Sequence, residues 1–450
     1  MSATIVTTTQ GEIQEKLNFK KILPVFVIVL IDLLGLTIII PLMPLYATAY
    51  GAEALIIGLL GASYPAFQFI GAPLLGRLSD RFGRKPVLII SQIGTLVGFL
   101  ILGFANSVWM LFLARILDGI SGANISTAQA AISDSTTEKT RTQGLGLIGA
   151  AFGLGFILGP IIAFVALTVS GNNYHVPAFV AAAFSFLSIL LTWFWFEETL
   201  PEELRGTTKR QPAFTLSAML KALKNPAVGL LLVLMFSQQI AFGGFEQLLA
   251  LFTLNRLGLN ASGNAGIFVF VGIIVVAVQG GLIGRWSRKY GDRRLVLVGL
   301  TTLALGLILT ALTPRQPLPT YSREKLLTEL SGSAEFRTHE NPTTRNLTID
   351  IPDDMDKGWM GMGWLLLAMI PAAVGGGILQ PSINSLITQR VAKDEVGGML
   401  GISAAFLSGS NAIAPLLGGA IFQLLGATAP FLLGGILLGF LWLVTLYMLR

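Results

Sequence analysis

The sequence contains no cysteine and only two histidines, His175 and His339. That excludes disulfides, thiolate chemistry, iron–sulfur clusters and any zinc site built from His and Cys. No metal or organic cofactor is expected. Charge is scarce too: 12% of residues are Asp, Glu, Lys or Arg, against roughly 25% in an ordinary soluble domain. A soluble chain of 450 residues must cover its surface with polar side chains, and this one lacks them. No nucleophile–base pair, metal-ligand cluster or phosphate loop is present, which argues against an enzyme.

What the sequence has instead is apolar length. Hydrophobic residues make up 53% of the chain, and there are 51 glycines. Lipid is the solvent that fits this composition, and small residues let membrane helices approach closely. The net charge of +6 does not indicate nucleic acid. The basic residues sit in short loops between apolar runs, as membrane topology places them.

A helix needs about 20 apolar residues to cross the hydrocarbon core. Twelve runs qualify: 22–47, 54–75, 86–105, 108–133, 144–167, 177–196, 228–254, 264–284, 295–313, 359–388, 399–424 and 428–449. They are long and continuous, unlike the short alternating segments of a β-barrel, so helices are expected throughout. Ala47-Thr48-Ala49 could pass for a signal-peptide cleavage site, but the run before it is too long for one and carries Asp32. With the N-terminus in the cytoplasm, most lysines and arginines fall in cytoplasmic segments, and the short outer loops hold only Arg256. Both termini are therefore expected in the cytoplasm, with the protein in the inner cell membrane.

The chain repeats itself. Gly76 to Lys85 closes span two, and Gly284 to Arg293 closes span eight 208 residues later; Gly58 and Gly266 share that spacing. Gly146 and Pro160 in span five answer Gly401 and Pro415 in span eleven, at a spacing of 255. The extra 47 residues match the polar stretch 314–358, which lies between the two pairs. The expected organisation is a cytoplasmic tail at 1–20, a six-helix bundle at 21–196, a cytoplasmic linker at 197–227 and a second six-helix bundle at 228–450. The extracytoplasmic loop 314–358 interrupts the second bundle. It is read as a partly ordered cap with a short helix around Tyr321–Leu330, and the first fifteen or so residues as disordered. Internal repeats of this kind mark transporters, with the site between the repeats near the membrane midplane.

In the loop after span two, Gly76 and Gly83 permit a tight turn. Asp80 lies beside Arg81, Arg84 and Lys85, where its carboxylate can pair with a cation or cap a neighbouring helix. Such a contact can latch one side in one state and release it in another; an ordinary basic loop is the plainer alternative. Gly76 to Lys85 resembles the signature loop of the major facilitator superfamily. The second copy, with Arg288 at the position of Asp80, is similar to its degenerate form. Arg115 to Ala123 in span four, the Asp134–Arg141 pair closing that span, and Gly155-Phe156-Ile157-Leu158-Gly159-Pro160 in span five are likewise similar to the family's segments. The chain looks most like its tetracycline-exporter group of drug/proton antiporters. The resemblance implies an all-α fold of twelve transmembrane helices in two pseudo-symmetric bundles. It also implies a cytoplasmic gate at Gly76, Asp80, Arg81, Gly83, Arg84, Lys85, Asp134 and Arg141, and a hinge at Gly155, Gly159 and Pro160. The chain departs from that group in span three, where Gly98 stands at the position of an acidic residue and Gln92 is the strong polar group.

Ionisable residues inside a membrane cost at least ~2.5–3.5 kcal/mol each, so they need a reason. Asp32 lies in span one, Arg115 and Asp118 three apart on one face of span four, and Glu246 in span seven. A carboxylate out of water favours its protonated form; it can hold a proton at neutral pH and release it when water enters. Arg115 pulls the other way and makes that exchange depend on conformation. These four are the candidate proton-coupling residues, and a static pair of Arg115 with Asp118 or Asp32 is the alternative. Tyr64, Gln68, Asn124, Gln238, Gln239, Gln279, Gln380, Asn384 and Asn411 are candidates for lining the substrate cavity, or for bonding helix to helix.

The function these readings point to is secondary active transport: proton-coupled efflux of small amphiphilic or drug-like compounds by alternating access, by a monomer, with no nucleic acid partner. A metabolite symporter or uniporter of the same fold is the nearer alternative. A non-transporting membrane scaffold or sensor is the farther one.

Overall fold

The computed structural model describes residues 19–122, 124–136, 138–205, 216–226, 228–332, 349–391 and 396–448. Most of the N-terminal tail, His339 and parts of the linker and of loop 314–358 lie outside them. The described residues form helices and no strand. In the first half they are α1 (Phe19–Ile39), α2 (Met43–Ala49), α3 (Ala54–Phe82), α4 (Arg84–Gly103), α5 (Val108–Ser121), α6 (Asn124–Asp134), α7 (Glu138–Val169) and α8 (His175–Phe194). In the second half they are α9 (Leu216–Leu223), α10 (Gly229–Leu257), α11 (Ala261–Val276), α12 (Ile283–Tyr290), α13 (Asp292–Ala311), α14 (Arg323–Gly332), α15 (Met360–Gln389), α16 (Val396–Leu425) and α17 (Ala429–Met448). Twelve stretches are long and apolar enough to cross a membrane. Trp109, Phe194, Val169 and Leu424 each stand about four-fifths exposed, which water would penalise and acyl chains do not.

Three spans depart from single continuous α-helices. Span one stops at Ile39 and restarts as α2, because Pro41 and Pro44 remove backbone donors and disfavour helix in the residues before them. Span four changes from α5 to α6 around Gly122. Span eight passes through a π-helical segment, Ala277–Leu282, between α11 and α12. Gly83 (φ 102°) and Gly291 (φ 78°) separate α3 from α4 and α12 from α13. They lie 208 residues apart, and only glycine takes that backbone without strain.

Helices of the first half pack mainly on one another: α1 on α7 and α8, α4 on α5 and α8, α3 on α5. In the second half α13 packs on α15 and α17, and α10 on α16 and α17. The halves meet along α3–α16 and α7–α11, which the repeat spacings make equivalent. A methyl group on Gly58 would run into the Pro415 carbonyl, and one on Gly419 into the Ala54 carbonyl. Glu53 accepts from Gln423 at 2.6 Å, the Leu55 amide donates to Gln423 at 3.0 Å, and the Ser262 amide donates to Asn172 at 3.1 Å. Among the described residues, every hydrogen bond between the halves lies at the end of the bundle that carries the insert. At the opposite, basic end, α12 has no buried residue. The described contacts between the halves close the molecule at the insert end.

Candidate functional site

The membrane-embedded ionisable residues of the first half converge where α1, α3, α4, α5 and α6 meet. Arg115 and Asp118, one turn apart on α5, form a buried ion pair at 3.1 Å. The Arg115 guanidinium also lies over the Tyr64 ring, 4.4 Å from its centre, a cation–π contact that shields the charge from lipid. Tyr64 comes this close because Gly119 and Gly122 carry no side chain; a methyl on either would strike it. Gln68 donates both to the Tyr64 hydroxyl at 3.1 Å and to the Gly122 carbonyl at 3.0 Å.

Asp32 is bound not by Arg115 but by Asn124, whose amide donates to one carboxylate oxygen at 2.7 Å. The other oxygen is buried with no hydrogen-bond partner among the described residues. A single small cavity touches Asp32, Tyr64, Thr95, Phe99, Asp118 and Gly122. Two carboxylates thus line one pocket, and one of them, Asp118, is paired with a guanidinium. Gly98 packs on Asp118: a Cβ there would lie 3.2 Å from that of Asp118, so a side chain at this position would crowd α5. Gln92 bonds Ser188 on α8 at 2.8 Å and serves packing.

Glu246 stands apart, half-buried on α10 with no hydrogen bond or ion pair among the described residues. Two turns earlier, on the same face, Gln239 donates to Asn411 of α16 at 2.8 Å. Gln238 is buried and bonds its neighbour Gln239 at 3.3 Å. Asn384 accepts from Ser403 at 2.8 Å, tying α15 to α16. Gln380 is half-buried, and Gln279 is exposed within the π-helical segment. His175 bonds Tyr46 at 2.8 Å and the Gly103 carbonyl at 2.9 Å, joining α8 to α2 and α4.

At the basic end, Arg84 is the hub. It is 2% exposed and reaches Asp80 at 2.6 Å, Asp134 at 2.8 Å and Ser79 at 2.8 Å, fastening the ends of α3, α4 and α6. Asp80 therefore pairs with a cation. The cap on α4 comes from Glu198, a residue the sequence reading passed over. Its carboxylate accepts from the Arg84 amide at 2.9 Å and the Lys85 amide at 3.1 Å, satisfying donors a helix start leaves open. Gly83 is required beside it, since a Cβ would run into that carboxylate. Arg81 lies over the Phe82 ring at 5.2 Å, and the Gly76 carbonyl accepts from Ser79 at 2.9 Å. The Arg141 side chain lies outside the described residues.

The second half repeats this knot with its charge inverted. The 208-residue spacing carries Ser79 to Ser287 and Arg84 to Asp292, and the 255-residue spacing carries Asp134 to Gln389. Asp292 accepts from Ser287 at 2.5 Å, Ser385 at 2.6 Å and Gln389 at 2.8 Å. A buried anion ringed by neutral donors stands where the first half buries a cation ringed by carboxylates. Arg288 is left exposed.

Gly155 and Gly159 do not face the opposite half. They pack on Leu33 and Thr37 of α1, and the Thr37 hydroxyl donates to the Gly155 carbonyl at 2.9 Å. The contact with the opposite half falls one residue on, where Phe156 and Ile157 lie against Gly272 of α11. Pro160 lies inside α7 without ending it.

A model of the Major Facilitator Superfamily matches residues 25–321. The tetracycline resistance protein of class B from Escherichia coli is 29% identical over 401 residues, covering 88% of this chain and 87% of that protein. Multidrug resistance protein 1 of Bacillus subtilis (strain 168) is 28% identical over 396 residues, covering 88% and 87%. Among solved structures, the nucleoside transporter NupG superposes with a TM-score of 0.70 at 13% identity, over 96% of this chain and 100% of that one. The human organic anion transporter MFSD10 superposes with 0.61 at 22% identity, over 95% and 99%.

Proposed function

This chain belongs to the Major Facilitator Superfamily of membrane transporters, and on that premise we propose that it is a proton-coupled exporter of small amphiphilic, drug-like compounds. The observation that carries this reading is the cavity that Asp32 shares with Asp118, of which only Asp118 is ion-paired, to Arg115, while Asp32 is held by the neutral amide of Asn124. With Asp118 paired, Asp32 is the surplus carboxylate, and a proton is the smallest charge that can neutralise it. The relatives named for tetracycline and multidrug resistance support efflux as the direction and drug-like molecules as cargo.

The basic end faces the cytoplasm in this reading, both termini lie there, and the protein works as a monomer in the inner membrane without a bound cofactor. The molecule is then closed outward. A substrate entering the cleft between the halves meets Gln239, Asn411 and Glu246 on one wall and the Tyr64–Gln68 pair on the other. Rocking of one half against the other opens the insert end. Asp32 then meets outside water and takes up a proton, which it releases when the cleft faces the cytoplasm again. Arg84, Asp80 and Asp134 keep the basic end of the first half rigid as it swings. Phe156 and Ile157 of α7 form the seam about which it turns, and Gly155, Gly159 and Pro160 set the fit of α7 to α1.

The test is transport in proteoliposomes under an imposed proton gradient, with a panel of cationic dyes, antibiotics and sugars. Gradient-dependent movement of a dye or antibiotic is the expected result. Movement of a sugar that ignores the gradient would replace the exporter with a uniporter.

A further inference from the structure

The loop between α13 and α15 is not explained by the transport cycle, yet its described parts are built into the closed end of the molecule. One side of it is tied to the second half. Asn255 at the end of α10 donates to the Asp350 carbonyl at 2.7 Å, and within the loop Arg315 braces that strand by donating to the Ile351 carbonyl at 3.1 Å. Gln316 accepts from the first amides of α15, Met360 at 3.1 Å and Gly361 at 3.2 Å. Tyr321 donates its hydroxyl to the Pro352 carbonyl at 2.7 Å, and its ring fills the space a side chain at Gly258 would need. Lys357 donates to the Tyr321 carbonyl at 2.7 Å, which brings the two strands of the loop together.

The other side reaches the first half. Helix α14 packs on α2. Leu326 and Leu330 are buried in the same apolar core as Met43, Leu45 and Tyr46 of α2. Glu329, held by Asn260 at 3.0 Å on the second half, also acts across the seam. Burial and then the Glu329 charge hold the Tyr174 hydroxyl above its ordinary range, and Tyr174 stands edge-on to Tyr46 with ring centres 5.7 Å apart. The join is not solid: a cavity lies beneath α14, lined by Leu257, Asn260, Leu318, Tyr321, Lys325 and Glu329 among others.

We infer that the insert is a strap: anchored on the second half, it docks α14 onto α2 of the first half, and the insert end can open only when α14 leaves α2. The argument is geometric. Opening parts α3 from α16 and α7 from α11 at this end, so α2 moves with the first half while Asn255, Gln316 and Gly258 stay with the second. A segment fastened to one half and buried against the other must let go of one of them. Among the described residues no hydrogen bond joins α14 to α2, and the buried apolar residues of α14 are Leu326 and Leu330, whereas the anchor uses several hydrogen bonds, so α2 is the side that releases.

The inference does not depend on proton coupling or on substrate identity, and its test reads accessibility, not transport. The chain has no cysteine, so a single reporter, Gln247→Cys on α10 near Gly61, can be labelled with a membrane-impermeant maleimide supplied on the insert side. Leu326→Ser with Leu330→Ser should speed labelling about tenfold or more, the change that ~1.4 kcal/mol makes in an opening equilibrium. Thr328→Ser, on the exposed face of α14, should label at the parental rate. If the double variant does not accumulate, Leu330→Ala alone should still raise the rate several-fold. Parental labelling in a folded leucine variant would overturn the strap.

Discussion

Asn124 at the start of α6 donates its side-chain amide to Asp32 of α1 at 2.7 Å, leaving the second carboxylate oxygen buried and without a partner among the described residues. The bond stabilises the ionised form, and the open oxygen is where a proton adds. A hydrogen bond to a charged group is worth about 1.5–3 kcal/mol. Asn124→Ala should therefore slow gradient-driven transport by roughly 10- to 100-fold, with little effect on the amount of folded protein. Unchanged transport would take Asn124 out of the cycle.

Arg84 should matter more for stability than any other residue at the basic end. Removing it takes away the cation that Asp80 and Asp134 both pair with. Breaking a buried pair from one side costs about 3–5 kcal/mol; because both carboxylates are about one-fifth exposed, the lower part of that range applies. Arg84→Ala should melt at a clearly lower temperature in detergent. Arg84→Lys should rescue only partly, since an ammonium cannot present the fork that holds two carboxylates.

Asp292 offers a matching experiment with the charge inverted. Asp292→Ala strips the acceptor from Ser287, Ser385 and Gln389, at about 1–3 kcal/mol for groups left unsatisfied. Asp292→Asn keeps an acceptor and should cost less. A ranking with Asn as harmful as Ala in thermal unfolding would mean that the charge itself, not acceptance, is what the second knot needs.

Gly58 tests the closed end. A methyl there collides with the Pro415 carbonyl, which is backbone and cannot swing aside. Overpacking of this kind costs about 1–3 kcal/mol. Because the contact exists only when the insert end is shut, Gly58→Ala should bias the protein toward opening at that end. A reporter cysteine at Gln247 should then label faster from the insert side; slower labelling would contradict the assignment of the closed end.

Much of the fold was legible because membrane helices announce themselves by length, and all twelve crossings and both repeat spacings follow from apolar runs and glycine positions. What escaped were contacts between segments far apart in sequence. Nothing local marks Glu198 as the cap of α4, since it lies beyond span six and reaches Gly83 only in three dimensions; the acidic pair directly after an apolar run was the one available signal. The partner of Asp32 was sought among cations because charge is conspicuous, whereas a neutral amide, Asn124, holds it. Gly155 and Gly159 were read as part of a hinge, but spacing along one helix says which residues share a face and not what that face meets, here Leu33 and Thr37 of α1. The inversion that sets Asp292 against Arg84 was present in the repeat, but became meaningful only once both were seen buried among the same equivalent neighbours.

The central claim is that Asp32 carries the coupled proton. Proteoliposomes can separate coupling from movement: counterflow of labelled substrate needs no net proton transfer, whereas accumulation against a concentration gradient does. The account predicts that Asp32→Asn keeps counterflow and loses pH-driven accumulation. Accumulation by Asp32→Asn at the parental level, abolished by a protonophore as in the parent, would contradict it.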